Sequence, residues 1–321
     1  MYKTGDITKI DFQTVQRGVH GDKLVAAKLN SKLPPSDIDR LENAIRRYDE
    51  WIKSLNSVEA DTVDELISNM VDLLNQYKLY IDIELIFDSE EDFLYRQKGQ
   101  LKLDNTVLEE FLTIFIKRCL QFEQLGDGVN ISSQAKVFSS LYFDTDLQRP
   151  DFQMKTGMTV KDKDQDFSVS KSLFLKSSYT SDFSNSTEIE TKIGFILAEI
   201  KTNLDKTMFQ EASATARDVK MAVTGAKYYL LCEFLDMTPI SSTTTNIDEV
   251  LILRKGKRIS SNKRSKFSTR AGRISEREWY VQFLTSHPFD DSLFRRFYIM
   301  VKENFTEIEI SEEGILDIGY F

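Results

Sequence analysis

Hydrophobic residues recur every three or four positions in the first 130 residues, and this spacing predicts three amphipathic helices. The second helix runs from about Thr62 to Tyr80, and the third begins near Asn105. Between them, Ile81–Leu85 alternates apolar and acidic residues, which predicts a short strand. The first helix begins at Ser36, after an irregular lead-in over residues 1–35, and its apolar face comprises Ile38, Leu41, Ile45, Tyr48, Ile52 and Leu55.

The pattern changes after residue 130, where runs typical of buried strands alternate with helical periodicity. The segment 132–143 predicts a helix that runs into a strand, and 207–223 and 292–304 predict two further helices. Four further strands are predicted at Phe167–Ser178, Glu188–Lys201, Lys227–Leu235 and Val250–Leu253.

This order of elements predicts an α/β fold with a central mixed sheet flanked by helices and a helical N-terminal region. We therefore divide the 321 residues into a helical region, 1–130, and an α/β core, 131–321. The expected role of the helical region is a scaffold or a dimerisation layer.

Charge is distributed unevenly along the chain. The net charge of -9 argues weakly against nucleic acid as a partner, but residues 254–277 are strongly basic and predict a long, DNA-contacting loop. Its cations are Arg254, Lys255, Lys257, Arg258, Lys263, Arg264, Lys266, Arg270, Arg273 and Arg277. The alternative is a solvated loop with no partner.

Cysteine and histidine are scarce. Cys119 and Cys232 lie in apolar runs, which predicts buried free thiols in a reducing compartment. His20 and His287 are far apart, so histidine-based triads and metal sites are not expected. The chain shows neither a signal peptide nor an apolar run of membrane-spanning length, and we expect a cytoplasmic protein with no membrane partner.

The candidate chemistry lies at the end of the strand predicted up to Lys201. Side chains alternate along a strand, so Glu199 and Lys201 point to one side and Ile200 points into the core. A carboxylate and an ammonium at the edge of a sheet can bind a divalent metal and act on an attacking water. The alternative is a surface ion pair of little energetic value.

Pro150-Asp151, together with Glu199-Ile200-Lys201, resembles the motif of the PD-(D/E)xK nuclease superfamily. The longer run from Ala198 to Ala212 is similar to Type II restriction endonucleases, in particular to subunits of heterodimeric enzymes that cut CCTNAGC-like sites. The resemblance covers roughly residues 151–253.

The resemblance implies a role for each matched residue. Asp151 and Glu199 would ligate Mg²⁺, with the Ile200 carbonyl as a further ligand, and Lys201 would polarise the attacking water. The gap between Asp151 and Glu199 is longer than usual in the superfamily, so Asp166 and Glu188 are alternative first ligands. Further roles are assigned to Gln210 and Glu211, which would support the site from the following helix.

The function implied is Mg²⁺-dependent, sequence-specific cleavage of double-stranded DNA by a homodimer or by a heterodimer with a related subunit. The alternatives are a repair or recombination nuclease without a tight site preference and a non-catalytic DNA-binding protein.

Overall fold

The computed structural model describes residues 17–144 and 155–305, together with residues 312, 316 and 319. Its N-terminal part is helical, and the three helices predicted from periodicity are confirmed. The helices are α1 (Val19–Lys28), α2 (Ile38–Ser57), α3 (Val63–Leu79), α4 (Phe93–Gln97) and α5 (Thr106–Phe122).

The predicted strand at Ile81–Leu85 is wrong. The chain continues from α3 as a π-helix, Tyr80–Phe87, in which seven of the eight residues are buried. A five-residue alternation is too short to distinguish a strand from a helix that is apolar nearly all round.

A mixed five-stranded sheet forms the centre of the molecule, as predicted. β1 is antiparallel to β2 and β2 to β3, whereas β3, β4 and β5 are parallel, and the strands lie in chain order across the sheet. The strands are β1 (Asn130–Phe143), β2 (Met158–Ser177), β3 (Thr187–Leu204), β4 (Lys227–Leu235) and β5 (Glu249–Lys257). The helix expected at the start of 132–143 is absent, since β1 covers that segment.

The crossover between the parallel strands β3 and β4 is the helix α6 (Lys206–Ala222). It begins directly after β3 because the Asp205 side chain accepts a hydrogen bond of 2.9 Å from the backbone N–H of Met208. This cap fixes the helix against the end of the strand that carries Glu199 and Lys201.

Apolar side chains cover both faces of the sheet. One face packs on α6 through residues that include Leu197, Ala212 and Leu230. The other face packs on α3, α5 and α9 (Asp291–Lys302), so Ile200 lies in one hydrophobic core with side chains of the N-terminal helices. The boundary near residue 130 stays a prediction, but the core is continuous across it.

Buried charges also join the N-terminal helices to the sheet. The Lys78 ammonium lies 2.8 Å from Asp82 and 3.1 Å from Glu233 on β4. Glu233 in turn accepts a hydrogen bond of 2.9 Å from Arg254 on β5. All four side chains are at most 6% exposed.

The basic segment 254–277 is not a loop. It forms the end of β5, the short helix α7 (Ser261–Lys266) and the first half of α8 (Arg270–Ser286). Among the described residues, no helix combines the length and the hydropathy needed to cross a lipid bilayer.

Candidate active site

Strands β2 and β3 separate at the position of the candidate residues. Their antiparallel pairing runs from Ser177 opposite Thr187 to Phe167 opposite Ala198, and the register continues no further. Beyond that point β2 is paired with β1, whereas β3 stays paired with β4. Asp166 and Glu199 are the first residues past the separation, one on each strand.

A hydrogen bond crosses the gap between the two strands. The backbone N–H of Ile200 donates to the Asp166 carboxylate at 2.8 Å. In an extended strand, the N–H and the carbonyl of one residue point to the same edge. The Ile200 carbonyl therefore faces the gap in which the Asp166 carboxylate lies.

Glu199 and Lys201 lie on one side of β3, as predicted from the strand alternation. Glu199 Oε1 lies 2.7 Å from Lys201 Nζ, and both side chains are partly exposed. The Tyr228 hydroxyl on β4 donates to Glu199 Oε2 at 2.8 Å. Burial, and then the charge of Glu199, raises the pKa of Tyr228, so its hydroxyl keeps the proton that it donates.

The two ionisable groups that face Glu199 influence each other. Burial lowers the pKa of Lys201, but the hydrogen bond and charge of Glu199, together with the charge of Asp166 and a smaller effect of Cys232, outweigh burial, and the net pKa is raised. Burial raises the pKa of Asp166, a change that the Ile200 hydrogen bond and the Lys201 charge oppose. Lys201 is thus a cation, and the carboxylates beside it stabilise that charge.

Glu109 is an acidic residue that the sequence patterns did not identify. It is fully buried on α5 and accepts hydrogen bonds from Asn105 at 3.0 Å and Gln134 at 3.2 Å. Burial and then the charge of Asp166 raise its pKa, which places it close to the candidate site. The available signal was an acid inside an apolar helix face, a position that seldom holds a charge without a partner.

Two of the three candidates for the first acidic ligand lie within the described residues, and one of these two is found beside Glu199. This residue is Asp166, whose carboxylate accepts the hydrogen bond from the Ile200 N–H. Glu188 lies at the opposite end of β3, where it pairs with Lys176 at 2.9 Å, so it is not a ligand of this site. Asp151 lies outside the described residues, and its assignment stays a prediction.

The supporting role expected for Gln210 and Glu211 has no geometric basis. Both side chains are exposed on α6, whereas the flanking Phe209 and Ala212 are buried against the sheet. Helical periodicity turns the two polar residues outward, away from the buried face.

Two of the predicted DNA-contacting arginines are structural. Arg254 is 5% exposed and bonds Glu233 and the carbonyl of His287. Arg273 is 2% exposed and donates to the carbonyls of Phe87, Ser89 and Glu91 and to the Asp92 carboxylate, among others. Neither guanidinium can reach a DNA duplex, so these two predictions are wrong.

Most of the remaining cations of the segment are paired on the surface. Their partners are Asp290 for Lys255, Asp236 for Arg258, Glu276 for both Lys263 and Lys266, Glu90 for Arg270, and Asp88 for Arg277. Lys257 and Arg264 have no carboxylate partner in the described part of the chain. The excess of positive charge seen in the sequence is therefore largely compensated by acids, of which Glu276 lies within the same segment and Asp88 and Glu90 lie far away in the chain.

A cavity of about 590 Å³ opens beside the candidate residues. Asp166 and Lys201 line it at the sheet, Lys102 and Asn105 line it before α5, and Arg264 lines it on α7. The N-terminal helices, the sheet and the C-terminal helices thus all contribute to one space.

The donor atoms at the separation of β2 and β3 fit a hard cation. They are the carboxylates of Asp166 and Glu199 and the carbonyl of Ile200, and oxygen is the donor that Mg²⁺ prefers. No group of three or more His, Cys, Asp or Glu side chains in the described ranges is arranged to hold a metal. Two carboxylates are enough for Mg²⁺, because this ion usually takes one or two carboxylates from the protein and fills its other coordination positions with water and phosphate oxygens.

A mixed five-stranded sheet flanked by helices, with a helical N-terminal part, is the restriction-endonuclease-like class of fold. One solved structure of the same fold, the native BbvCI A2B2 tetramer at low resolution, matches with a TM-score of 0.52 and 17% sequence identity. The match covers 83% of this chain and 96% of that chain. No curated protein sequence matches significantly.

The sequence profile of the Bpu10I restriction endonuclease matches residues 100–321, which is more than half of the chain. The chain belongs to this family of restriction endonucleases, and it is an endodeoxyribonuclease.

Proposed function

We propose that this chain cleaves double-stranded DNA at a specific sequence in a Mg²⁺-dependent reaction, with Asp166, Glu199 and Lys201 as the catalytic residues. The observation that supports the proposal best is the gap between β2 and β3. There Asp166 and the Ile200 carbonyl face each other beside the Glu199–Lys201 pair.

Each residue has a role that follows from its position. Asp166, Glu199 and the Ile200 carbonyl would hold Mg²⁺, which supplies charge stabilisation at the phosphate and a more acidic bound water. Lys201 orients the attacking water and offsets negative charge that develops on the phosphate oxygens. Tyr228 fixes the Glu199 carboxylate through its hydrogen bond of 2.8 Å.

The rigid setting of these groups supports catalysis rather than simple binding. β3 is paired with β4 through Glu199, Ile200 and Lys201, so the backbone that presents the side chains is held on one edge. Preorganised groups of this kind need no rearrangement when charge develops in the transition state.

Cleavage of both strands requires two active sites, and each chain supplies one. We propose that the chain works as a pair, with a second copy or with a related subunit. The matched BbvCI structure is an A2B2 tetramer, which is an assembly of two kinds of subunit.

The proposal is tested by incubating the purified chain, alone and with candidate partner subunits, with plasmid DNA and Mg²⁺ and then sequencing the ends. We expect defined ends at one sequence. Ends scattered over many sequences would indicate a nuclease without site preference, and no cutting under any condition would refute the proposed activity.

Glu199→Gln and Lys201→Ala provide the matched variants for this assay. We expect both to lose cleavage and to keep DNA binding, because the changes remove reacting groups and leave the sheet intact. Met221→Ala, at an exposed position on α6, serves as the control and should cut normally. Normal cleavage by either site variant would exclude this site.

A further inference from the structure

The charges around the cavity are unequally compensated. Four of its cations have a carboxylate partner: Lys78 pairs with Asp82 at 2.8 Å, Lys98 with Asp104 at 3.3 Å, Lys201 with Glu199 at 2.7 Å and Arg258 with Asp236 at 2.6 Å. The other two, Lys102 and Arg264, have no carboxylate partner in the part of the chain that the structure describes.

Lys102 is held beside the candidate site by its backbone. It adopts a positive φ of 54°, and its carbonyl accepts a hydrogen bond of 2.6 Å from the Thr106 hydroxyl at the start of α5. Its side chain is exposed, and its charge partly opposes the rise that burial causes in the pKa of Asp166. An exposed, unpaired ammonium therefore lies close to the acid of the site.

Arg264 approaches the same cavity from another element. Its Nε donates to the carbonyl of Ile259 at 3.0 Å, which fixes the guanidinium through one nitrogen, and none of the described residues bonds its two terminal nitrogens. A guanidinium with free terminal nitrogens suits a phosphate, which it can bind with two parallel hydrogen bonds.

We propose that Lys102 and Arg264 bind backbone phosphates of the DNA next to the phosphate that is cut. The inference rests on the proposed function, and it assigns the N-terminal helical region a direct part in substrate positioning. Lys102 offers a single positive charge from the turn before α5, and Arg264 on α7 offers a guanidinium that can donate two parallel hydrogen bonds. Their ligands carry no sequence information, so these contacts set the register of the strand in the site.

The test is the salt dependence of DNA binding by the full chain without Mg²⁺, measured by fluorescence anisotropy with a labelled duplex. Each phosphate contact adds about 0.9 to the slope of log K against log salt concentration. Lys102→Gln should make the slope shallower by about 0.9 and Lys102→Gln/Arg264→Gln by about 1.8. The losses should be equal for duplexes of different sequence.

Lys53→Gln is the matched control, since Lys53 is an exposed lysine of the same helical region and does not line the cavity. It should leave the slope unchanged. Thermal unfolding midpoints equal to that of the wild type confirm that the variants fold. Glutamine at position 102 has to adopt the same positive φ as lysine, so the substitution adds no new backbone strain.

An unchanged slope in Lys102→Gln, or an equal loss in Lys53→Gln, would overturn the inference. The plasmid assay decides the proposed function separately. If the variants change the slopes as expected but the chain never cuts DNA, the phosphate contacts are supported and the nuclease proposal is refuted. If the chain cuts DNA but the variants leave the slopes unaltered, the nuclease proposal is supported and the phosphate contacts are refuted.

Discussion

Asp166 shows how much a single position depends on the fold. In the sequence it is one of several acids between residues 151 and 190, and the proline before Asp151 makes that residue the better match to the family motif. In the structure, Asp166 accepts a hydrogen bond from the residue between Glu199 and Lys201. Strand pairing, which cannot be inferred from spacing, brings Asp166 to this position and supports its proposed role.

The two aspartates make a direct test. We expect Asp166→Asn to reduce the rate of cleavage by at least about a hundredfold, because metal binding supplies several kcal/mol of charge stabilisation. If Asp166 supplies the first acidic ligand, Asp151→Asn should cut at a rate close to that of the wild type. Single-turnover cleavage at saturating DNA gives both rates.

Binding of a labelled duplex serves as the control for both variants, since an amide in place of a carboxylate leaves the shape unchanged. If Asp151→Asn were inactive and Asp166→Asn active, the assignment of the first acidic ligand would pass to Asp151.

At the scale of helices and strands, sequence patterns predicted an element reliably where burial alone determined its residues. β4 matches its predicted bounds, since a strand buried on both faces is a nearly continuous apolar run, which in β4 is interrupted at Glu233. The helix expected at the start of 132–143 was wrong because β1 has a mixture of exposed and buried residues along its length. Its alternation is broken by the irregular register between Phe138 and Ser140.

The ion network between α3 and β4 has a measurable effect on stability. Lys78→Met should lower the free energy of unfolding by roughly 3–5 kcal/mol, because the two buried acids Asp82 and Glu233 would share Arg254 as their one remaining cation among the described residues. Urea denaturation followed by circular dichroism measures the change.

Lys176→Met is the matched control, as it removes a lysine from an ion pair with Glu188 in which both side chains are well exposed. It should have little effect on the unfolding midpoint. A similar loss of stability in both variants would contradict the role of burial.

At the scale of the whole molecule, the sequence predicted the class of fold and singled out two of the three residues now proposed as catalytic, Glu199 and Lys201, with Asp166 named as one of three candidates for the remaining role. It could not predict how the two regions pack. Two acidic partners of the basic segment, Asp88 for Arg277 and Glu90 for Arg270, lie 189 and 180 residues away in the chain, and no local pattern connects them. The cations suggested a loop, whereas the structure has the end of β5, the helix α7 and the first half of α8.

The number of active sites that act together can be measured on the intact protein. If each chain cuts one strand, an excess of the Glu199→Gln chain mixed with the wild type should convert plasmid into nicked circles rather than linear molecules. Gel electrophoresis separates the two products. A wild-type chain that nicks even without the variant would require a different partner subunit.

An undiminished yield of linear DNA in that mixture would contradict the idea of one cut per chain. Bovine serum albumin in place of the variant controls for the added protein and should leave the products unchanged.

Arg273 limits how relatives of this protein could exchange parts. Its guanidinium is enclosed by backbone carbonyls of residues 87–91, which belong to the other half of the chain. A chimera that took its N-terminal half from another subunit would preserve this enclosure only if the donor folded the same turn. Functional chimeras should therefore take the turn at residues 87–91 and Arg273 from the same parent.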